Sequence, residues 1–219
     1  MLEQLRSKLQ ISGLLLMYVG NLEGYQGISL LLESFALVVK KINAVDLVII
    51  GGEALDIQKY QKQARDLKIE SQVHFLGAKP VEDLEEYLSQ ADILVSPRIK
   101  GKNTPMKIYS YLDSGKPVVA TNLPTHTQIL DRQVAILADP SPEKFSTGML
   151  RAIENKTLRQ KLGKAGKKLI EEKFSYNAFC QKFNDLFDWL QTEIEQEYNL
   201  AATKPASAQS QAGALNKIA

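Results

Sequence analysis

The stretch NTPMKIYSYLDSGKPVVAT, which runs from Asn103 to Thr121, indicates how this chain folds. Asn103 or Thr104 can cap a helix that Pro105 opens, because the first helical position needs no backbone N–H. Gly115 can end that helix, and the apolar run VVA that follows has the composition of a short buried strand. The stretch therefore predicts a helix that leads directly into a strand.

The same alternation of strand and helix recurs along most of the chain. The predicted strands are Leu14–Val19, Asp46–Ile50, Gln72–Leu76, Asp92–Val95, Pro117–Ala120 and Val134–Leu137, and the helices Ile28–Ile42, Leu55–Leu67 and Val81–Gln90 lie between the first four. Strands that are apolar throughout and are each followed by a helix indicate a parallel sheet covered on both faces. The predicted fold class is α/β, a doubly wound parallel sheet (Rossmann-like) with C-terminal helices.

The C-terminal part of the chain is predicted to be helical only. These helices are Pro142–Glu154, Thr157–Glu172 and Tyr176–Glu197. The last helix carries an apolar stripe that either packs on the sheet or docks a partner. Because Ala, Ser and Gln dominate the final residues, a disordered tail is predicted there. The predicted organisation is an N-terminal extension (1–13), a Rossmann-like domain with C-terminal helices (14–198) and a disordered tail (199–219).

Composition excludes several classes of protein. Lys and Arg number 27 against 25 Asp and Glu, and no basic run is interleaved with aromatic residues, so nucleic-acid binding is not expected. The lone Cys180 excludes an internal disulfide, and two histidines, His74 and His126, disfavour a zinc site. The apolar run ISGLLLMYV is too short to span a bilayer. A cytoplasmic protein is expected, with contact between a lysine-rich segment (161–173) and a membrane surface as an open alternative.

Loops at the carboxyl ends of the strands point to a ligand that contains phosphate. These loops are GNLEGYQGI (20–28), GGE (51–53), GAKP (77–80), SPRIKGKN (96–103) and TNLPTHTQ (121–128). In an open parallel sheet, ligands bind beyond this edge. The glycines at positions 20, 24 and 27 do not form a GxGxxG fingerprint, which disfavours a nicotinamide cofactor. Arg98, Lys100, Lys102 and Lys107 add cations, so these loops together predict a phosphate site.

Four segments follow one another in an order that identifies a family. They are YVGNLEGYQGISLLLESFALV, LVIIGG, VHFLGAKPVEDLEEYLSQADILVSP and TPMKIYSYLDSGKPVVAT. In this order they resemble the C-terminal domain of family 4 glycosyltransferases, over about Leu14 to Leu190. The resemblance implies a domain that binds a nucleotide-sugar donor, one half of the B-type fold with two facing Rossmann-like domains. It also implies that an N-terminal domain holds the acceptor, and that transfer retains the anomeric configuration, typically without a metal.

The resemblance implies donor-binding positions, and this chain departs from the family at four of them. The family usually has an arginine and a lysine, which neutralise the diphosphate, where this chain has Asn21 and Gln26. Aligned on the GKP motif, the two family glutamates fall at Lys102 and Ser110. Amides and a hydroxyl still form hydrogen bonds, but two charges are lost. The candidate donor-binding residues are Gly20, Asn21, Gln26, Gly27, Arg98, Lys102, Thr104, Lys107, Ser110 and Gln128, with no metal, no cofactor and no catalytic residue assigned.

Each candidate residue has an expected role. Lys107, the helix N-terminus at Thr104–Met106 and the Gly20–Gly27 loop would hold the diphosphate. Ser110, one helical turn beyond Lys107, would reach the ribose. Lys102 or Gln128 would approach the sugar. His126 is interpreted as a solvated loop histidine, with contact to a donor phosphate or sugar as the alternative.

Full enzymes of the family are about twice as long as this chain, which leaves three hypotheses. The first is the donor half of a split or truncated glycosyltransferase, active only with a protein partner that supplies the acceptor domain. The second is a non-catalytic module that binds a nucleotide sugar or a partner. The third is a flavodoxin-like or other phosphate-binding α/β protein whose loops resemble the family by chance.

Overall fold

Six parallel strands form one sheet in the computed structural model, which describes residues 4–202. They are β1 (Leu14–Val19), β2 (Val45–Ile50), β3 (Val73–Phe75), β4 (Ile93–Ser96), β5 (Val118–Thr121) and β6 (Ala135–Ala138). Neighbouring strands follow the order β3-β2-β1-β4-β5-β6, and every pairing is parallel. The predicted doubly wound sheet is confirmed, and each strand begins and ends within about one residue of its prediction.

Helices lie on both faces of this sheet. The helices within residues 4–174 are α1 (Leu5–Lys8), α2 (Ile28–Val39), α3 (Ala54–Asp66), α4 (Leu84–Gln90), α5 (Lys107–Asp113), α6 (Pro124–Thr127), α7 (Pro142–Glu154) and α8 (Lys156–Lys173). A further helix, α9 (Tyr176–Ala202), follows them along the chain. Because successive side chains of a strand point to opposite faces, the sheet separates two apolar clusters. In β1, Leu16 and Tyr18 join the cluster that contains α2 and α7 residues, while Leu15 and Met17 join the cluster that contains α4 and α5 residues.

The order of the strands creates a switch point between β1 and β4. From β1 the chain moves outward through β2 to β3, and it then returns to place β4 against the other side of β1. The connections that leave β1 and β4 therefore diverge to opposite sides of the sheet. In such sheets the crevice at the carboxyl ends of the two central strands is where ligands bind.

The described part of the predicted N-terminal extension is tied to the sheet. Leu5 is fully buried in the cluster that contains α4 and α5 residues. Its backbone N–H donates to Gln90 Oε1 at 2.8 Å. Arg6 pairs with Asp92, and the same carboxylate oxygen accepts from Leu15 N at 2.8 Å. These bonds fix the entry of the chain into β1.

The helix predicted to begin at Thr104 begins instead at Lys107, and no side chain caps it. The predicted cap residues have other partners. Asn103 Oδ1 accepts from Arg98 Nη2 at 3.2 Å, and Thr104 Oγ1 donates to Gln128 Oε1 at 3.4 Å. At the start of the helix, Ile108 N donates to the Pro105 carbonyl at 3.0 Å, which closes a turn over residues 105–108. Other hydrogen bonds therefore occupy the two side chains that were predicted to cap the helix.

The chain divides into two compact units, Met1–Phe174 and Ser175–Ala219. In the second unit, α9 carries an apolar stripe whose side chains are between 39% and 61% exposed. The stripe consists of Phe179, Phe183, Leu186, Phe187 and Leu190. The predicted tail (199–219) overlaps the end of α9, so its first residues are helical, and residues 203–219 lie outside the described residues. Within residues 4–202, no helix combines the length and hydrophobicity needed to span a membrane.

A glycine lets α8 approach the end of α5 closely. A Cβ on Gly163 would lie 2.0 Å from the Gly115 carbonyl oxygen, whereas a Cβ on Gly166 would lie 2.8 Å from Leu112 Cδ2. We expect Gly163→Ala to lower the free energy of unfolding by about 1–3 kcal/mol, because a backbone carbonyl cannot easily move away. Gly166→Ala is the matched control: it has the same gain in helix propensity, and the Leu112 side chain can shift. Urea unfolding measures both variants, and equal losses would contradict the prediction.

Candidate functional site

The ammonium group of Lys107 lies at the switch point between β1 and β4. Lys107 is the first residue of α5, and its Nζ donates to Tyr18 Oη at 2.8 Å and to Gln26 Oε1 at 3.4 Å. It lies directly over Gly20, where an added Cβ would come within 2.5 Å of Nζ. Lys107 therefore faces the loop that follows β1, the loop with which it was predicted to hold a diphosphate.

The surroundings of this ammonium group disfavour its charge. Burial, together with the nearby positive charge of Arg98, lowers the pKa of Lys107 to about 7. Burial also raises the pKa of Tyr18 far above its usual value. Tyr18 therefore stays a phenol, which donates to the Asn21 carbonyl at 2.7 Å and accepts from Lys107. Among the described side chains, no carboxylate forms an ion pair with Lys107 or Arg98.

The loop that follows β4 folds around the guanidinium group of Arg98. Its Nε donates to the Lys100 carbonyl at 2.7 Å, and its plane lies over the ring of Tyr25, 5.1 Å from the centroid. The backbone N–H of Ile99 donates to the Tyr25 carbonyl at 2.9 Å. Arg98 is only 8% exposed. These contacts join the loop after β4 to the loop after β1.

Two amides stand beside Lys107. Gln26 Nε2 donates to Asn21 Oδ1 at 2.9 Å, while the Gln26 oxygen faces the ammonium group. Gln26 is buried and Asn21 is exposed. The structure thus brings together six of the candidate residues from three separate segments. These are Gly20, Asn21, Gln26, Gly27, Arg98 and Lys107.

The other four candidate residues lie in two further groups. Gln128 Nε2 donates to the Lys102 carbonyl at 2.6 Å, and Thr104 contacts the oxygen of the same amide. Lys102 therefore takes part through its backbone. Ser110 lines a cavity of about 320 Å³ between α4 and α5, together with residues that include Glu85. Within the described part of the chain, no cluster of three or more His, Cys, Asp or Glu residues could hold a metal ion.

The family model for glycosyl transferases group 1 matches residues 3–169, which include all six strands of the sheet. They also include the six candidate residues that the structure brings together around Lys107, here called the Lys107 cluster. The chain belongs to this glycosyltransferase family. The resemblance that rests on four sequence segments is thereby confirmed at the level of group 1.

Relatives and solved structures agree with this assignment. An uncharacterized glycosyltransferase of Methanocaldococcus jannaschii is 23% identical over 177 residues, which are 80% of this chain and 45% of that protein. The D-inositol 3-phosphate glycosyltransferase of Corynebacterium diphtheriae is 24% identical over 179 residues, with 78% and 41% covered. The structure of Anabaena HepE in complex with UDP-glucose superposes with a TM-score of 0.74, at 17% identity, over 84% of this chain and 51% of that one. The chain thus spans about half the length of these proteins.

Sequence reasoning missed three residues of this candidate site. Tyr18 and Tyr25 hold Lys107 and Arg98, and a tyrosine next to the end of a buried strand was the available signal for Tyr18. The interpretation of His126 as a solvated loop histidine is wrong, because this side chain is fully buried. Its partners are Ser96 and Thr121, at the ends of β4 and β5.

Gly27 keeps the two loops of the candidate site in contact. Its φ is +76°, and an added Cβ would lie 2.1 Å from the Pro97 carbonyl oxygen. We expect Gly27→Ala to lower the free energy of unfolding by about 2–4 kcal/mol, from left-handed strain and the clash together. Gly77→Ala is the matched control, since the φ of Gly77 is +67° and an added Cβ would lie 3.9 Å from Ile57 Cδ1, an ordinary contact distance. Chemical denaturation compares the two, and a loss no greater at Gly27 than at Gly77 would contradict the prediction.

Proposed function

We propose that this chain is the donor-binding half of a retaining glycosyltransferase of family 4 type, and that the Lys107 cluster binds the diphosphate of a nucleotide sugar. The observation that carries the proposal is that the buried Arg98 and the partly buried Lys107 lie near each other without an acidic partner among the described residues. The positive charge of Arg98 disfavours the charged form of Lys107. A diphosphate between them would favour both charges and accept charge-assisted hydrogen bonds.

The chemistry of transfer follows from this placement. Negative charge develops on the diphosphate as the bond to the anomeric carbon breaks. Lys107 and Arg98 are fixed by Tyr18 and by the loop after β4, so they would stabilise that charge without reorganising. Gly20 lets the diphosphate approach the backbone closely, and the amides of Asn21 and Gln26 would contribute hydrogen bonds in place of charges. The reaction would need neither a metal nor a cofactor.

The rest of the donor would extend away from the cations on either side. The cavity between α4 and α5 has room for a nucleoside, and Ser110 on its wall offers a hydroxyl to the ribose. On the other side, Gln128, whose amide bonds to the Lys102 carbonyl and to Thr104, would approach the sugar. The structure of Anabaena HepE with UDP-glucose makes that donor a suitable first probe.

The acceptor would be held by a second, Rossmann-like domain. This part of the proposal rests on the length of the relatives, because the match covers only 45% and 41% of the two glycosyltransferases and leaves room in each for another domain. The exposed apolar stripe of α9 is a surface of this chain suited to hold such a partner. If the acceptor is lipid-linked, the exposed lysines of α8 would face anionic head groups.

Isothermal titration calorimetry of the purified chain tests donor binding. The panel is UDP, GDP and ADP, with UDP-glucose and GDP-mannose alongside. We expect one base to bind with a micromolar dissociation constant, about −8 kcal/mol, and its sugar nucleotide to bind as well. Failure of the whole panel to bind at millimolar concentration would overturn the proposal.

A non-catalytic module that binds a nucleotide sugar or a partner is the second candidate. One observation favours it: Lys102 and Ser110 stand where the family has glutamates, so no carboxylate is available at either position. This candidate predicts normal nucleotide binding but no consumption of the donor when an acceptor domain and an acceptor are added. Measurable donor consumption under those conditions would exclude it.

A further inference from the structure

A buried chain of hydrogen bonds runs beneath the donor site. Ser96 ends β4, Thr121 ends β5, and His126 lies in α6; each is at most 1% exposed. His126 Nε2 lies 2.8 Å from Ser96 Oγ, and Nδ1 lies 2.9 Å from Thr121 Oγ1. The Thr121 hydroxyl in turn contacts the Arg98 carbonyl at 2.6 Å. These hydrogen bonds therefore connect the His126 imidazole to the backbone of Arg98, the residue that carries the guanidinium group.

The direction of each bond follows from what each group can donate. A carbonyl oxygen only accepts, so the single proton of the Thr121 hydroxyl goes to the Arg98 carbonyl. The Thr121 oxygen must then accept from His126, which places the imidazole proton on Nδ1. The Thr121 carbonyl, 3.0 Å away, accepts from the same N–H. Nε2 is left with a lone pair and accepts from the Ser96 hydroxyl.

The neutral imidazole that this pattern requires agrees with the surroundings. Burial lowers the pKa of His126 to about 4; a hydrogen bond to the Thr121 backbone opposes that shift, while the positive charges of Arg98 and Lys107 reinforce it. Within the described residues, no carboxylate forms an ion pair with His126. His126 thus has one fixed tautomer near neutral pH.

The same segment also holds the far end of the Arg98 loop. Thr125 Oγ1 donates to the Asn103 carbonyl at 2.8 Å, so bonds from either side of His126 fix the loop at two places. Between these two places the guanidinium group of Arg98 bonds to its own loop, through the Lys100 carbonyl. The position of the guanidinium group therefore depends on the backbone that Thr121 and His126 hold.

We infer that His126 is a positioning residue of the donor site: through Thr121 it fixes the Arg98 backbone, and with it the guanidinium group that faces the donor diphosphate. Only the statement that the guanidinium group faces the donor diphosphate rests on the proposed function. His126 itself is fully buried and does not touch the donor. Its effect passes through a single hydroxyl, which makes the link testable at that hydroxyl.

Thr121→Val removes the hydroxyl with almost no change of shape, and it is the first test. The Arg98 Nε–H resonance in a ¹H–¹⁵N spectrum reports the loop without any donor, since this N–H bonds to the Lys100 carbonyl. We expect its exchange with solvent to accelerate about ten-fold or more in Thr121→Val. We also expect the dissociation constant for UDP-glucose to rise about five-fold, the effect of one net hydrogen bond.

Substitutions of His126 separate positioning from packing. His126→Asn retains a donor near the place of Nδ1, so we expect it to preserve most of the Arg98 protection that His126→Leu loses. Ser34→Ala is the matched control, because it removes another buried hydroxyl, which bonds to the Leu30 carbonyl in α2 away from the site. We expect Ser34→Ala to leave the exchange of the Arg98 Nε–H with solvent unchanged.

Two results are distinguishable in this design. Unchanged Arg98 exchange in both Thr121→Val and His126→Leu would overturn the inference, whatever the donor binding. Absence of UDP-glucose binding to the unmodified chain would count against the proposed function instead, while the exchange of Arg98 would still decide whether His126 holds the loop.

Discussion

Replacement of Lys107 by alanine is expected to weaken nucleotide-sugar binding ten-fold or more, on the order of 1.4 kcal/mol. The ammonium group lies over Gly20 at the carboxyl end of β1, and it has no carboxylate partner among the described residues. Its charge is therefore free to pair with a diphosphate. Calorimetric titration with the nucleotide that binds the unmodified chain measures the loss.

Lys62→Ala is the control for this variant. Lys62 is an exposed lysine of α3, where it pairs with Asp66, so its removal changes the net charge of the chain by the same amount. We expect its dissociation constant to stay within about two-fold of the unmodified value, because exposed charges outside a site are screened. Equal dissociation constants for Lys107→Ala and the unmodified chain would remove Lys107 from the donor site.

Donor affinity is expected to fall as the pH rises from 6.5 to 8.5. The pKa of Lys107 is lowered to about 7, so in most molecules of the free chain Lys107 is neutral at pH 8.5. A bound diphosphate favours the charged form, and binding at high pH must therefore take up a proton. The affinity for UDP-glucose should drop by up to about twenty-fold over this range.

The proton uptake itself can be measured. Titrations at pH 8.5 in two buffers of different ionisation enthalpy give the number of protons bound, and we expect it to approach one. His126 does not contribute, because its pKa is lowered to about 4. Lys107→Ala should abolish the pH dependence. A slope that persists in this variant would assign the proton to another group.

Much of the fold could be predicted because its signals are local. The bounds of β1 and α7 agree with prediction, since β1 is one apolar run that ends before a glycine. At the start of α7, Ser141 accepts from the Lys144 backbone N–H and a proline follows it. The start of α5 could not be predicted in this way, because Asn103 and Thr104 bond to residues that are distant in sequence.

The site was only partly predictable for a related reason. Gly20 and Lys107 could be placed together because the carboxyl ends of parallel strands share one edge of the sheet. The alternation of side chains along a strand predicts on which face of the sheet each side chain lies, but not which residue it contacts. The burial of His126 depends on Ser96, thirty residues earlier, and on Thr121, which belong to neighbouring strands. No local pattern in the loop after β5 contains that information.

A crystal structure of the chain with UDP-glucose tests the central claim most directly. The account predicts diphosphate oxygens about 3 Å from Lys107 Nζ, above Gly20, with the guanidinium group of Arg98 facing the same phosphates. A nucleotide bound elsewhere, with no phosphate oxygen within hydrogen-bonding distance of Lys107 Nζ, would contradict the account.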